Sequence, residues 1–433
     1  MANRLLEKYS KKIQLAESVY SATHNGERMD QIRKITVAKC LDNVNTFLNE
    51  AFDSSIGTQR AAMGDYKKFC LALTNVGVPQ LIAFDLVAVS PMSSMYGNVA
   101  YIKYVKGTTK GESTQGDMTN SVWALGDVDV NYTGNAVVES VDSFTSGTTK
   151  IAFPQGASNV RFLDADGNAL TVTGDVTVAA DGTVTATVTG TVKKIAYTYD
   201  NIVVPQETLP TLKAELQNIG LEAHARRIAV FYSQMAAFQA KTDYGFDLAD
   251  GLAEQAVGQL AYEIDTEIVD MLHEAAPATT IAPFSKTQPV GVSLADHYAA
   301  FAAKLEEYKM EVYQKTKKFT PNFMVCAPDV MPVIQFVPGF QAASIGEVNG
   351  PYFAGTLNGI KVFVTPNIGA GEFFLGVNQG AMQAAAGVYA PYMPVVPTQL
   401  LGFADGGMSQ GWSTLYDAKI LNEELLIKGA IAA

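Results

Sequence analysis

Apolar positions recur at three- and four-residue intervals along the first sixty residues, in two stripes. Leu5, Tyr9, Ile13, Ala16 and Val19 form one, and Ile32, Ile35, Cys40, Val44 and Phe47 the other, with a break at Thr23-His24-Asn25-Gly26 between them. This spacing places each set on one face of an amphipathic helix, in a helical pattern that runs to about Met63. Such helices cannot bury their stripes alone and need the body of the protein or a neighbouring copy. From Gln80 to Met92 the pattern becomes a run of aliphatic and β-branched residues closed by Pro91, then Ser93-Ser94-Met95-Tyr96-Gly97. In Asn98–Val105 the positions Val99, Tyr101 and Lys103 alternate with Ala100, Ile102 and Tyr104, so the period of two predicts strand, turn, strand.

From Gly134 to about Tyr199 the chain turns Thr-, Val- and Gly-rich. Alternation is plain in Thr183–Val188 and Lys194–Tyr199, and turns are expected at Asp164-Ala165-Asp166-Gly167-Asn168 and Asp181-Gly182. Several short strands at regular spacing predict a small β-sandwich, of immunoglobulin-like type. The spacing of Asp164, Asp166 and Asn168 also suggests a calcium loop, but its sixth position is Ala169 and its twelfth Asp175, where Gly and Glu are required. A hairpin turn is the better reading.

Helical periodicity returns at Asp247–Leu272. Leu248, Leu252, Ala256, Leu260, Ile264, Ile268 and Leu272 recur every fourth residue, widened by Val257 and Val269. Asp250, Glu254, Glu263, Glu267 and Asp270 occupy the opposite face and read as solvated rather than as a metal or acid–base cluster. A further helix is expected over Leu294–Lys317, with Ser293 as N-cap and Lys315, Lys317 and Lys318 at the C-terminal end, where the helix dipole favours cations. Strands are predicted at Asn322–Cys326, Ile360–Val364 and Phe373–Val377, with a short helix after Ala327-Pro328-Asp329. The whole reads as α+β.

Composition narrows the function classes. Hydrophobic residues are 48% and charged residues 17% of 433, a globular balance for two or three domains. No apolar run reaches the roughly 18 residues of a membrane span, and the N-terminus lacks the apolar core of a signal peptide. Cys40, Cys70 and Cys326 are scattered and read as reduced, buried residues of a protein made in a cytoplasm. A net charge of -12 disfavours a nucleic-acid reader, though not a surface that merely encloses DNA. The phosphate loop, zinc-protease and nucleophile-elbow motifs are missing, and His24, His224, His273 and His297 are dispersed. The reading is therefore of no catalytic residues, no cofactor and no metal.

Three blocks carry a family resemblance. Leu81–Tyr104, with Pro91, Met92 and Gly97, resembles the core block of major capsid proteins from T-even-type and related contractile-tailed phages. Leu221–Tyr232, with the pair Arg226 and Arg227, is similar to that family's return strand, and is followed by Asp243-Tyr244-Gly245-Phe246-Asp247 before the long helix. Gly387–Pro394, with Tyr389, Pro391 and Tyr392, is similar to its Y-A-P-Y-x-P block. The blocks stand in the family's order.

The resemblance implies a Hong Kong 97-type capsid fold with N-arm, E-loop, peripheral domain with a long spine helix, and axial domain. Boundaries expected on this basis are a helical N-arm over 1–79, a peripheral strand and E-loop start over 80–133, and the inserted β-rich domain over 134–200. The E-loop return and spine helix follow over 201–292, the axial domain over 293–388, with a tip loop near Gln341–Gly346, and a C-terminal return over 389–433. The implied function is self-assembly into hexamers and pentamers of an icosahedral virion shell around phage DNA, with portal, scaffolding and decoration proteins as partners. Pro91, Met92, Gly97, Arg226, Arg227, Tyr389, Pro391 and Tyr392 are the expected assembly residues. Arg226 and Arg227 pair either with a neighbouring subunit or locally. Leu48-Asn49-Glu50, followed by Ala51, resembles the family's processing motif. The alternatives are a tail or baseplate structural protein and, further off, an enzyme.

Overall fold

The computed structural model describes residues 2–23, 28–53, 81–126, 131–200, 209–245, 248–343, 350–398, 401–404 and 406–432. Helices α1 (Ala2–Lys8), α2 (Ser10–Thr23) and α3 (Gln31–Asp53) carry the two N-terminal stripes. Tyr9, Ile13 and Ala16 are buried, and Val37, Ala38, Cys40, Leu41 and Val44 of α3 are wholly inaccessible. His24-Asn25-Gly26, the helical pattern beyond residue 53, Asp247 and the end of the tip loop lie outside the described residues.

The strand expected from Gln80 to Met92 needs correction. Ala83–Leu86 is a single helical turn, α4, and only Ala88–Val89 is extended, as β1. Leu81, Ala83, Phe84 and Leu86–Val89 are all buried, so the run has no exposed phase from which to read a period. The open backbone donors at the start of α4 are met by the Asp265 carboxylate, which accepts from Ile82 at 3.3 Å and Ala83 at 3.1 Å.

The next strands are β2 (Tyr96–Lys106), β3 (Met118–Ser121), β4 (Ala136–Lys150), β5 (Ser158–Leu163), β6 (Thr177–Val178), β7 (Thr183–Thr198), β8 (Leu212–Glu222) and β9 (His224–Ser233). After them come α5 (Gln234–Asp243) and the long helix α6 (Leu248–Ala275), whose 28 residues span roughly 42 Å at 1.5 Å per residue. Leu260, Ile264, Ile268 and Leu272 bury its predicted apolar face.

The helix expected over Leu294–Lys317 is two, α7 (Leu294–Ala299) and α8 (Phe301–Thr316). Ala300 separates them because its N–H is shared between the carbonyls of Asp296 and His297, a local tightening of the turn. Ser293 caps α7 as predicted, accepting from the Asp296 N–H at 3.2 Å. Strands β10 (Phe284–Ser285), β11 (Phe323–Cys326), β12 (Phe340–Ala342), β13 (Tyr352–Leu357), β14 (Ile360–Val364), β15 (Glu372–Gly376), β16 (Gly387–Pro397), β17 (Leu401–Gly402), β18 (Gly407–Ile420) and β19 (Leu426–Ala432) follow, with the expected short helix, α9 (Met331–Gln335), between β11 and β12.

Two compact units result, Met1–Val99 with Asn218–Ala433, and Ala100–Gln217. The larger holds a seven-stranded mixed sheet, β10-β19-β15-β11-β14-β13-β12, and a five-stranded sheet in which β1-β16-β18-β17 is joined by β9 on β18. Phe301 and Tyr308 of α8 pack edge-on against Phe373 of the first sheet, 5.7 and 5.4 Å between ring centroids. In the smaller unit β2 pairs with β3 and β8, and β4, β5, β6 and β7 form a separate four-stranded sheet.

That second sheet is not the pair of sheets an immunoglobulin-like domain requires. β4 and β7, separated in sequence by β5 and β6, run the length of the segment as one bent antiparallel pair, with register shifts around Phe144 that fold the sheet over its own core. Phe162, Val184, Val192 and Ile195 fill that core with no accessible surface. The Asp164 turn is a hairpin turn: its carboxylate accepts the N–H groups of Asp166 at 3.0 Å and Asn168 at 2.8 Å.

Candidate functional site

The five-stranded sheet gathers all three sequence blocks. β1 runs parallel to β16, with Ala88 opposite Val388 and Val89 opposite Tyr389. The pairing continues past the strand, where Ser90 N–H donates to Tyr389 O at 2.9 Å and Met92 N–H to Pro391 O at 3.0 Å. β18 lies antiparallel on the other side of β16, with Tyr389 opposite Ala418 and Pro391 opposite Tyr416. Proline offers no ladder donor, and the register shifts immediately after Pro391, which accommodates it inside a sheet. β9 then pairs with β18, placing Arg226 opposite Thr414 and Arg227 opposite Ser413. Tyr389 and Pro391 are buried in the subunit, Met92 nearly so, and Pro91 and Tyr392 partly.

Helix α3 docks on the carbonyls this sheet leaves open. Lys39 donates to Pro91 O at 2.7 Å, and the Asn43 amide donates to Met92 O at 2.9 Å and Tyr392 O at 2.7 Å. Two of the three blocks are thus tied to the N-terminal helices through backbone atoms. Gly97 permits a close approach: a Cβ there would lie 3.2 Å from Met92 Sδ and 3.9 Å from Leu221 Cβ. Glu50 and Ala51 lie within α3.

A buried charged centre lies beside this junction. Arg33 of α3 pairs with Asp85 of α4 at 2.7 Å, and Lys361 of β14 reaches the same carboxylate at 2.8 Å. The Arg33 guanidinium sits over the rings of Tyr20 and Phe84, 4.7 and 5.3 Å from their centroids. Burial works to raise the Asp85 pKa, but the Arg33 and Lys361 charges outweigh it and hold the carboxyl below its usual range. Asp265, on α6, has no cation beside it among the described residues. Burial pushes it up to about 7, against the lowering effect of the Ala83 and Ile82 N–H groups, with the Asp85 charge adding to the rise.

Arg226 is anchored within its own chain. It bonds Glu263 at 3.2 Å and Glu267 at 2.7 Å, both on the face of α6 read as solvated. The Tyr416 hydroxyl donates to the same Glu267 carboxylate. Of the two readings for the arginine pair, the local ion pair is the one found for Arg226. Arg227, one residue on, lies on the opposite face of β9. Burial pushes the thiols of Cys40 and Cys326 up to about 12, which leaves them unreactive; Cys70 lies outside the described residues. The arrangement fastens elements together and presents no activated nucleophile among these groups.

Sequence reasoning missed Arg33, Asp85 and Asp265. A signal existed for Asp265: Val257, Ala261, Asp265 and Val269 form one row of α6, apolar but for the carboxylate. Asp85 carried a similar one, as the single charge in the apolar run Leu81–Val89, while none marked Arg33.

The model of the family described as major capsid protein Gp23 matches residues 63–417. The chain belongs to that family. It is a capsid component of the virion of a T4-type phage, and the family's structural role extends to it. Among its relatives, the major capsid protein of Vibrio phage KVP40 is 25% identical over 388 residues, covering 75% of this chain and 72% of the relative. That of Enterobacteria phage T4 is 23% identical over 371 residues, covering 76% and 70%. The capsid of Myoviridae phage XM1 aligns in three dimensions over 70% of this chain and 88% of its own at 7% identity, with a TM-score of 0.39. The assignment rests on the family match, not on that alignment. Membership decides for a shell protein over the tail or baseplate alternative.

Proposed function

We propose that this chain is the repeating subunit of an icosahedral head, assembled as hexamers and pentamers on a Hong Kong 97-type fold. The observation that carries the reading is the family match over 63–417, which takes in all three sequence blocks that meet in the five-stranded sheet. In this reading the N-arm is 1–79, α6 is the spine helix, the β2–β8 pair is the E-loop, and the seven-stranded sheet with α7 and α8 belongs to the axial domain. Pro91, Met92, Tyr389, Pro391 and Tyr392 then act in assembly indirectly, by fixing the sheet and the seat of α3, while Arg227 is left to face a neighbour.

Exposed apolar residues support a subunit that completes itself against copies. Ile102, Tyr104, Leu212 and Leu216 on β2 and β8 are 44%, 43%, 61% and 68% accessible, too much apolar surface on one ribbon for a solitary protein. Closed symmetry turns repeated modest contacts into a stable shell. Portal, scaffolding and decoration proteins are the further partners of this reading, and the 134–200 segment serves as an outward projection or a clamp between capsomers.

Expression of the full chain followed by electron microscopy tests the proposal. Shells, tubes or six- and five-fold capsomers are the expected products. A protein that stays monomeric at high concentration, with and without a co-expressed scaffolding protein, overturns it.

A further inference from the structure

The junction of α2, α3, α4 and β14 forms a half-open cavity of about 340 Å³ whose walls carry three cations, Arg28, Arg33 and Lys361, against two carboxylates, Asp30 and Asp85. The chain as a whole has a net charge of -12, so a local positive excess is against its general trend. Asp85 is already shared between Arg33 Nη2 and Lys361.

Arg33 supplies a second, independent observation. The residue is only 6% accessible, and among the described residues its Nη1 has no hydrogen-bond partner. The guanidinium carbon stands over the Tyr20 and Phe84 rings, and the N–H donors lie in the guanidinium plane. In-plane guanidinium donors fit the oxygens of a carboxylate or phosphate, which accept them as charge-assisted hydrogen bonds. An unmet buried donor of this kind is otherwise unfavourable. Asp30 and Arg33 lie at the start of the 23-residue helix α3, so the positive end of its dipole adds to the same field.

We propose that this cavity binds a small oxyanion, seated on Arg33 with Arg28 and Lys361 beside it, which clips the N-terminal helices to β14. All of its named walls come from one chain, so binding can be measured on the unassembled subunit.

Inorganic phosphate is the probe, added to the purified full-length chain at constant ionic strength. Phosphorus NMR line broadening and the melting temperature are followed together. Saturable broadening with a parallel rise in melting temperature is expected. Arg28→Gln and Lys361→Gln each weaken the affinity by about 5-fold, as removal of one charged contact of about 1 kcal/mol requires. Arg33→Lys, which keeps the charge but loses the fork, abolishes saturation, while Arg227→Gln on the remote strand leaves it unchanged. Absence of saturation overturns the proposal. So does an effect equal in wild type, Arg28→Gln and Lys361→Gln, which is general salt exclusion. Because shells are scored separately by microscopy, loss of phosphate binding leaves the capsid reading intact, and the reverse also holds.

Discussion

The guanidinium of Arg33 lies 2.7 Å from the carboxylate of Asp85, with both side chains nearly sealed from solvent. This contact joins the N-terminal helices to the body, and Lys361 extends it to the seven-stranded sheet. Removing Arg33 takes away the buried counterion of Asp85 and leaves it with the half-exposed Lys361. Arg33→Ala is therefore expected to destabilise the subunit by about 3–5 kcal/mol, whereas Arg33→Met combined with Asp85→Leu costs far less. Urea denaturation of the two variants checks this. Equal losses show that the pair, rather than the unpaired charge, holds the arm.

Asp265 makes stability depend on pH in an unusual direction. Its folded pKa, about 7, lies above the ordinary carboxylate value of 3.8, so the folded state binds the proton more tightly. Its contribution is complete below about pH 4 and is lost as pH rises through 7. Asp265→Asn keeps one acceptor for the Ala83 N–H and removes the titration. Between pH 5 and 8 the wild type should lose roughly a few kcal/mol that the variant keeps. Parallel curves for both proteins across that range contradict the assignment.

Arg226 serves its own subunit through a half-exposed ion pair, where solvent screening is strong. Arg226→Ala is expected to cost about 1 kcal/mol or less in unfolding free energy. Capsomer yield by microscopy should stay close to wild type. A collapse of assembly with unchanged unfolding would place the residue at an intersubunit contact instead.

The 136–198 segment carries its own core and returns to its starting point, since Tyr199 N–H donates to Asn135 O at 3.0 Å. Replacing it by a short turn of about 2–4 residues should leave a soluble, assembling chain. Phe162→Ala, at a site with no accessible surface, should cost about 3–5 kcal/mol and melt the segment ahead of the five-stranded sheet. Calorimetry separates the two transitions. One cooperative transition lowered as a whole in the variant means that the segment is not an independent folding element.

Long periodic segments are legible in the order of residues alone. The stripes of α1–α3, the apolar face of α6 and the Ser293 cap all follow from local chemistry that repeats within a few residues. The three blocks are legible too, because their motifs are local. What the chain alone leaves open is non-local. Leu81–Val89 is part helix because a carboxylate 182 positions from Ala83 meets its backbone donors. The inserted strands form one folded sheet because bulges at Phe144 bend them, a choice that alternation does not encode.

By itself, the order of residues determined which faces must be buried and which family the chain belongs to, since hydrophobic period and motif survive without knowledge of contacts. Only the tertiary structure decided where those faces meet. It brought Pro91, Tyr389 and Arg226 into one sheet and placed Arg33, Asp85, Lys361 and Asp265 around one junction. The physical reason is that charge pairing and backbone hydrogen bonds between distant segments depend on spatial distance, which a linear pattern does not contain.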